Sequence, residues 1–225
     1  MARANPNQKA ADETRNEGWS LVTGHPLFAP LSWGVWVTPD QSTKPPDDFW
    51  AMIQMEPHSP KVPVITFHPK RIAKAQEWAY VFAHCLLHLG FGHLQVKSSA
   101  KEWNAACDAF VAQFLAQLKF GQKPASINPP PEERIKDEES LYRKLCASGI
   151  PPGYLGMGTA GDRADLITRP DFEVSLWMAR LVEGVRSAAD EAIQVAGGYK
   201  ASLTSRGRSG MTAANRAKQW FLSHY

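Results

Sequence analysis

Trp78–Leu94, WAYVFAHCLLHLGFGHL, is the stretch on which the reading of this chain turns. From Ile72 through Trp78, Val81, Phe82, Leu86 and Leu89 the apolar residues recur at helical spacing, Pro69 stands where a helix starts, and Gly90 and Gly92 stop the pattern. The segment therefore reads as a long buried helix. It carries His84 and His88, four residues apart, so both imidazoles lie on one face and can reach a single ion at about 2.0 Å from nitrogen to zinc. Such a pair also arises by chance, and a buried histidine is often a hydrogen-bonded core residue, so a further ligand is needed.

One helix face supplies only two ligands; the third must come from elsewhere. A second helical pattern begins near Ser98 or Ser99 and runs through Trp103, Ala106, Phe110, Phe114 and Leu118 to Gly121. Asp108 sits in its apolar run, beside Cys107, Ala109, Phe110 and Val111, where an unpaired carboxylate is costly to bury. A metal satisfies that carboxylate; an arginine partner or a local cap would do so too. His93 is a second candidate, five residues after His88 and beyond two glycines that let the chain turn back.

Upstream, Trp33–Val37, Phe49–Met55 and Val62–Phe67 have strand character and are separated by punctuation at Pro39, Pro45, Pro46, Pro57 and Pro60. Three strands ahead of two long helices predict an α+β domain. The polar residues 1–18 read as a flexible arm, 19–127 as the core, and 128–225 as a helical portion of the same domain. Within that last part, Asn128–Glu133 with three consecutive prolines is a linker, Glu138–Ala147 a short helix, and Ile150–Thr168 a mobile loop rich in Gly and Pro. Phe172–Ala196 is a long helix expected to end at Gly197 and Gly198, and Thr212–Ser223 a terminal helix that docks or belongs to something longer.

Composition narrows the function classes. At 225 residues, with 44% apolar and 10% aromatic content, the chain can bury a generous core. A net charge of +3 makes no case for a nucleic-acid or membrane partner. The basic tail, Lys200, Arg206, Arg208, Arg216 and Lys218, has no accompanying nucleic-acid motif and reads as a solvated surface. Three cysteines, Cys85, Cys107 and Cys146, each in a predicted helix, suit reduced thiols and a cytoplasmic protein. No stretch approaches the roughly 18 apolar residues of a membrane span, and the N-terminus has no secretory apolar region. GYLGMGTAGDRAD, from Gly153, lacks the Gly-Lys-Ser/Thr ending of a phosphate loop and reads as flexible. Trp33, Trp36 and Trp50 fall in predicted strands, as core or as the lining of a peptide cleft.

WAYVFAHCLLHLGFGHL followed by WNAACDAFVAQFL resembles the metallopeptidase-like domain of bacterial proteins that occurs alongside von Willebrand factor A-type domains. That family's pattern is a helix with HExxH, a nearby glycine and histidine, then a helix with Trp-Asn-x-Ala-x-Asp. The matching residues here are His84, His88, Gly92, His93, Trp103, Asn104, Ala106 and Asp108. HPLFAPLSWGVWV and VITFHP upstream, and ADEAIQVAGG and AKQWFLSHY downstream, look like the rest of the family's elements. The resemblance implies a zincin-like fold, a zinc ion, and protein partners of the MoxR-type AAA+ ATPase or von Willebrand factor A class, with a peptide or protein as the substrate if there is one.

One departure outweighs the matches. Where HExxH peptidases place the glutamate that takes a proton from metal-bound water and returns it to the leaving amine, this chain has Cys85. A thiolate beside zinc tends to become a ligand, and a buried Cys is more often a small hydrophobe. Glu77 lies two turns from His84 on the same face, too far to share a water, and Glu102 and Glu173 have no place assigned by sequence. The reading is a metallopeptidase-like zinc protein impaired in peptide hydrolysis, with a non-catalytic adaptor module as the alternative.

Overall fold

In the computed structural model, which describes residues 6–42, 44–56, 58–161 and 163–200, the chain is α+β, with a three-stranded sheet and six α-helices among the described residues. Helix α1 (Pro6–Thr23) and the short α2 (Ala29–Ser32) precede strand β1 (Trp36–Pro39), β2 (Ala51–Glu56) and β3 (Ser59–Phe67). Helices α3 (Ala75–Gly90), α4 (Ala100–Leu118), α5 (Glu138–Ser148) and α6 (Val174–Lys200) follow. The strand order is β1-β3-β2, with β3 parallel to β1 and antiparallel to β2.

Strand β2 alternates buried and half-buried residues, turning Ala51, Ile53 and Met55 inward, as the period-2 pleat requires of a sheet covered on one face. Opposite them on β3 lie Phe67, Ile65 and Pro63. Against this face packs α3, whose Trp78 meets Trp50 at 5.4 Å and Phe67 at 6.2 Å between ring centroids, both edge-on. Every residue from Trp78 to Gly90 is buried, because α1, α4 and α6 cover the remaining sides. A helix apolar all round is a core helix.

The residues read as an N-terminal arm are, from Pro6 onward, the first turns of α1. Its buried stripe, Ala11, Gly18 and Val22, is built from small residues with Arg15 lying 4.1 Å over the Phe67 ring, so hydropathy alone does not reveal it. A Cβ at Gly18 would stand 2.5 Å from the Trp78 Cβ, so the close crossing of α1 over α3 requires glycine there.

Two other expectations shift. Helix α3 begins at Ala75 instead of Pro69, with Lys74 extended as its N-cap; ahead of it Arg71 holds its guanidinium 4.3 Å over Trp50 and its Nε donates to the Phe49 carbonyl at 2.9 Å. Helix α6 continues through Gly197 and Gly198; a helical glycine costs about 1 kcal/mol and does not forbid the helix. The expected terminal helix and the basic residues from Arg206 onward lie outside the described residues. Among the described residues no helix is long and apolar enough to cross a membrane.

The expected mobile loop is knitted to the sheet. Trp50 and Ala51 both donate their N–H to the Thr159 carbonyl, at 2.8 and 3.1 Å. Ile53 N donates to Asp165 O at 2.7 Å, Ile167 N donates to Ile53 O at 3.0 Å, and Leu166 forms a parallel bridge with Ile53. Thr159, Asp165 and Ile167 thus satisfy backbone groups along the outer edge of β2 that an exposed edge would leave unpaired.

Candidate metal centre

Helix α3 presents His84 and His88 on one face, one turn apart, with ring centroids 4.8 Å from each other. Across from them α4 supplies Asp108, and the segment along β2 supplies Asp165. His84, His88, Asp108 and Asp165 are all buried, and one ligand atom from each lies within 4.8 Å of every other. This group could hold a metal ion.

The spacing supports that use. His84 Nε2 lies 3.6 Å from Asp108 Oδ1 and 3.0 Å from Asp165 Oδ2; His88 Nε2 lies 3.4 Å and 3.6 Å from the same two atoms. A tetrahedron with arms of about 2.0–2.1 Å has edges of about 3.3 Å. The four nitrogen-to-oxygen separations are each short enough for the two atoms to share one ion. None of them is a formed hydrogen bond, for both Nε2 atoms and Asp108 Oδ1 lack any partner despite being buried. Buried polar atoms without partners are rare, and an ion among these four would satisfy them.

The charges tell the same story. Two carboxylates and two imidazoles in a dry site carry two negative charges when the histidines are neutral. Burial pushes His84 and His88 down, yet the Asp108 and Asp165 carboxylates outweigh it, so His84 is raised and His88 rises to about 9. Burial and the neighbouring Asp165 raise Asp108. Burial works against the Asp165 carboxylate too, but the two histidines hold it well below the usual range. Protons gather here because the site lacks positive charge, which a divalent cation would supply.

The two carboxylates are braced from behind. Asp108 Oδ2 accepts from Asn104 Nδ2 at 2.7 Å, one turn earlier on α4, and Asp165 Oδ2 accepts from Thr159 N at 2.8 Å. The Thr159 hydroxyl is itself fixed on the Ala51 carbonyl at 2.8 Å. Gly158 closes over both carboxylates; a Cβ there would stand 2.5 Å from Asp108 Oδ2 and 2.9 Å from Asp165 Oδ2.

His93 is outside the four-residue group. Its Nδ1 faces His88 Nδ1 at 2.9 Å, and Gly92, at φ 77°, makes the turn that brings it back. Cys85 is also outside. It is fully buried with Sγ 3.7 Å from Thr159 Oγ1, and burial pushes its thiol well up. Glu77 is used locally, accepting the Lys74 N–H at 3.0 Å to cap α3. Glu102 is half-buried in the first turn of α4 and Glu173 is exposed; neither joins the group.

Asp165 and Thr159 are the residues that sequence reasoning passed over. A signal was present: Asp165 stands between Ala164 and the apolar pair Leu166 and Ile167, the same buried-carboxylate context that singled out Asp108. The glycines before it, read as flexibility, concealed it.

Compared with protein-family models, with curated proteins and with solved structures, the chain matches none.

Proposed function

We propose that this chain is a zincin-like, metal-stabilised domain that does not hydrolyse peptides, its zinc ion held by His84, His88, Asp108 and Asp165. The observation that carries this reading is the fourth buried ligand. Catalytic zinc sites keep three protein ligands and leave a position for water, whereas structural sites are closed by four. Asp165 takes the place that water would need, and the residue at the glutamate position of HExxH is a buried thiol turned toward Thr159. When bound there, zinc supplies a cross-link among α3, α4 and the segment along β2. The residues themselves contribute orientation: Asn104 and Thr159 aim the carboxylates, and Gly158 excludes water.

The test is metal content by mass spectrometry on protein purified without added metal, for wild type, His88→Ala and Asp165→Ala, together with hydrolysis of a casein-derived peptide mixture. About one zinc per wild-type chain, lost in both variants, with no hydrolysis above buffer, is the expected outcome. Zinc retained by Asp165→Ala together with hydrolysis by the wild type would refute the closed site.

A second reading, a protein-binding module, draws support from Trp33 and Trp36, which are 56% and 59% exposed beside the open edge of β1. Aromatics that exposed are typical of interface anchors. On this reading the partner is an AAA+ ATPase or a von Willebrand factor A-type protein. Co-purification with a protein of either kind, lost on Trp36→Ala, is the expected result; an unchanged set of co-purifying proteins would count against it.

A further inference from the structure

Beyond the four ligands, a line of side chains leaves the site through His88. His88 Nδ1 faces His93 Nδ1 at 2.9 Å, and His93 Nε2 lies 3.8 Å from Glu138 Oε1 on the first turn of α5. His93 is fully buried, its Nε2 without a hydrogen-bond partner, while the Glu138 side chain is 14% exposed. We propose that His93 and Glu138 are positioning residues for the metal centre, forming a chain that fixes the tautomer in which His88 binds the ion. This rests on the metal reading above and names the residues that tune it.

The chemistry allows one arrangement. A histidine that binds through Nε2 keeps its own proton on Nδ1, so His88 Nδ1–H must donate and His93 Nδ1 must accept. A neutral His93 accepting at Nδ1 then carries its proton on Nε2. That N–H points toward Glu138, whose carboxylate can accept it, directly after a small closure or through one water. Metal-bound histidines commonly donate their second nitrogen to a carboxylate or carbonyl, which raises ligand basicity and locks the ring. Here a second histidine is interposed, carrying the carboxylate's influence from α5 into the dry site. Burial raises Glu138 to about 7, consistent with an acid whose solvation is replaced by protein groups.

His93 is held for this task on its other sides. Its carbonyl accepts from Trp103 Nε1 at 2.8 Å, and its ring stacks on Phe91 at 5.6 Å. Phenylalanine would keep those aromatic contacts and remove both nitrogens, while glutamine would keep an acceptor for His88.

The experiment is chelator-competition titration of zinc, and the visible absorption of the cobalt(II)-loaded protein, for wild type, His93→Phe, His93→Gln, Glu138→Ala and the packing control Phe91→Leu. His93→Phe is expected to weaken zinc binding about 10–100-fold, with Glu138→Ala moving the same way by less. His93→Gln should recover part of the loss, and the cobalt bands should shift in His93→Phe but not in Phe91→Leu. Zinc affinity within twofold of wild type for both His93→Phe and Glu138→Ala would overturn the chain while leaving the centre standing. Equal losses for His93→Phe, His93→Gln and Phe91→Leu would overturn it as well, showing packing alone. A wild type that takes up neither metal would overturn the centre and this inference together. Glu138 is only partly buried, outside the core cluster, so its variant is expected to fold even where a core substitution unfolds the chain.

Discussion

Gly158→Ala separates a closed metal centre from an ordinary loop, because the two pull stability in opposite directions. The backbone at Gly158 is not in the left-handed region, so alanine is conformationally allowed there. In that situation Gly→Ala stabilises by about 0.4–1 kcal/mol through the unfolded chain. Against that, the new Cβ would stand 2.5 Å from Asp108 Oδ2 and 2.9 Å from Asp165 Oδ2. Neither oxygen is free to retreat, being held by Asn104 at 2.7 Å and by Thr159 N at 2.8 Å. Overpacking of this kind costs about 1–3 kcal/mol, so the expected net effect is a loss of about 0.5–2 kcal/mol. Gly153→Ala is the control, since nothing lies within 4 Å of a Cβ at that position and its backbone is likewise permissive. Urea denaturation of metal-loaded protein should show Gly158→Ala destabilised and Gly153→Ala neutral or slightly stabilised. Two equally stabilised variants with unchanged zinc affinity would refute the placement of Gly158 over the ligands.

Cys85→Ala should leave zinc content unchanged and lower stability by about 1 kcal/mol, the cost of a small buried cavity, as read by metal analysis and urea denaturation. Cys85→Glu, which restores the HExxH spelling, should gain no peptide hydrolysis in a fluorogenic assay, because Cys85 Sγ faces Thr159 and, in the closed site we propose, Asp165 takes the fourth position. Chelation should lower the thermal midpoint of wild type and leave His88→Ala unmoved, a ligand at 1,000 times its Kd contributing about 4 kcal/mol. His25 provides a pH signature away from the metal: burial lowers it to about 4, so between pH 4 and 6.5 the unfolded chain binds the extra proton. Stability linked to His25 is therefore complete above pH 6.5 and falls as pH drops toward 4, by about 2 kcal/mol once partial exposure is discounted. His25→Asn, which keeps an acceptor for the Leu27 N–H, should flatten that slope in denaturation curves taken at several pH values.

The helical face of His84 and His88 was legible because a 3.6-residue period needs nothing but sequence, and Asp108 because a carboxylate in an apolar helix demands a partner. Three strands were legible from β-branched and aromatic runs, but the first, expected at Trp33–Val37, lies at Trp36–Pro39, and the third starts at Ser59 and runs through Pro60, a residue that reads as a break. Asp165 was not, since its burial depends on hydrogen bonds between residues 159–167 and β2 that join positions more than a hundred apart in the chain. The same holds for α1, whose buried stripe is made of Ala11, Arg15, Gly18 and Val22 and acquires meaning only against Trp78 and Phe67. Sequence also gave His93 as a possible ligand; which of its neighbours it faces is set by the Gly92 turn, and that turn aims it at the back of His88. Trp36, read as core or cleft, proves exposed because β1 lies at the open edge of the sheet.

The central claim, four nitrogen and oxygen ligands with no thiolate and no open position, is tested most directly by X-ray absorption at the zinc edge of the metal-loaded protein. Four N/O scatterers at about 2.0 Å, two of them with the outer-shell pattern of imidazole, and no sulfur are the expected result. A sulfur at about 2.3 Å would put Cys85 on the metal, and a fifth or sixth light scatterer would open the site to water; either result would contradict it.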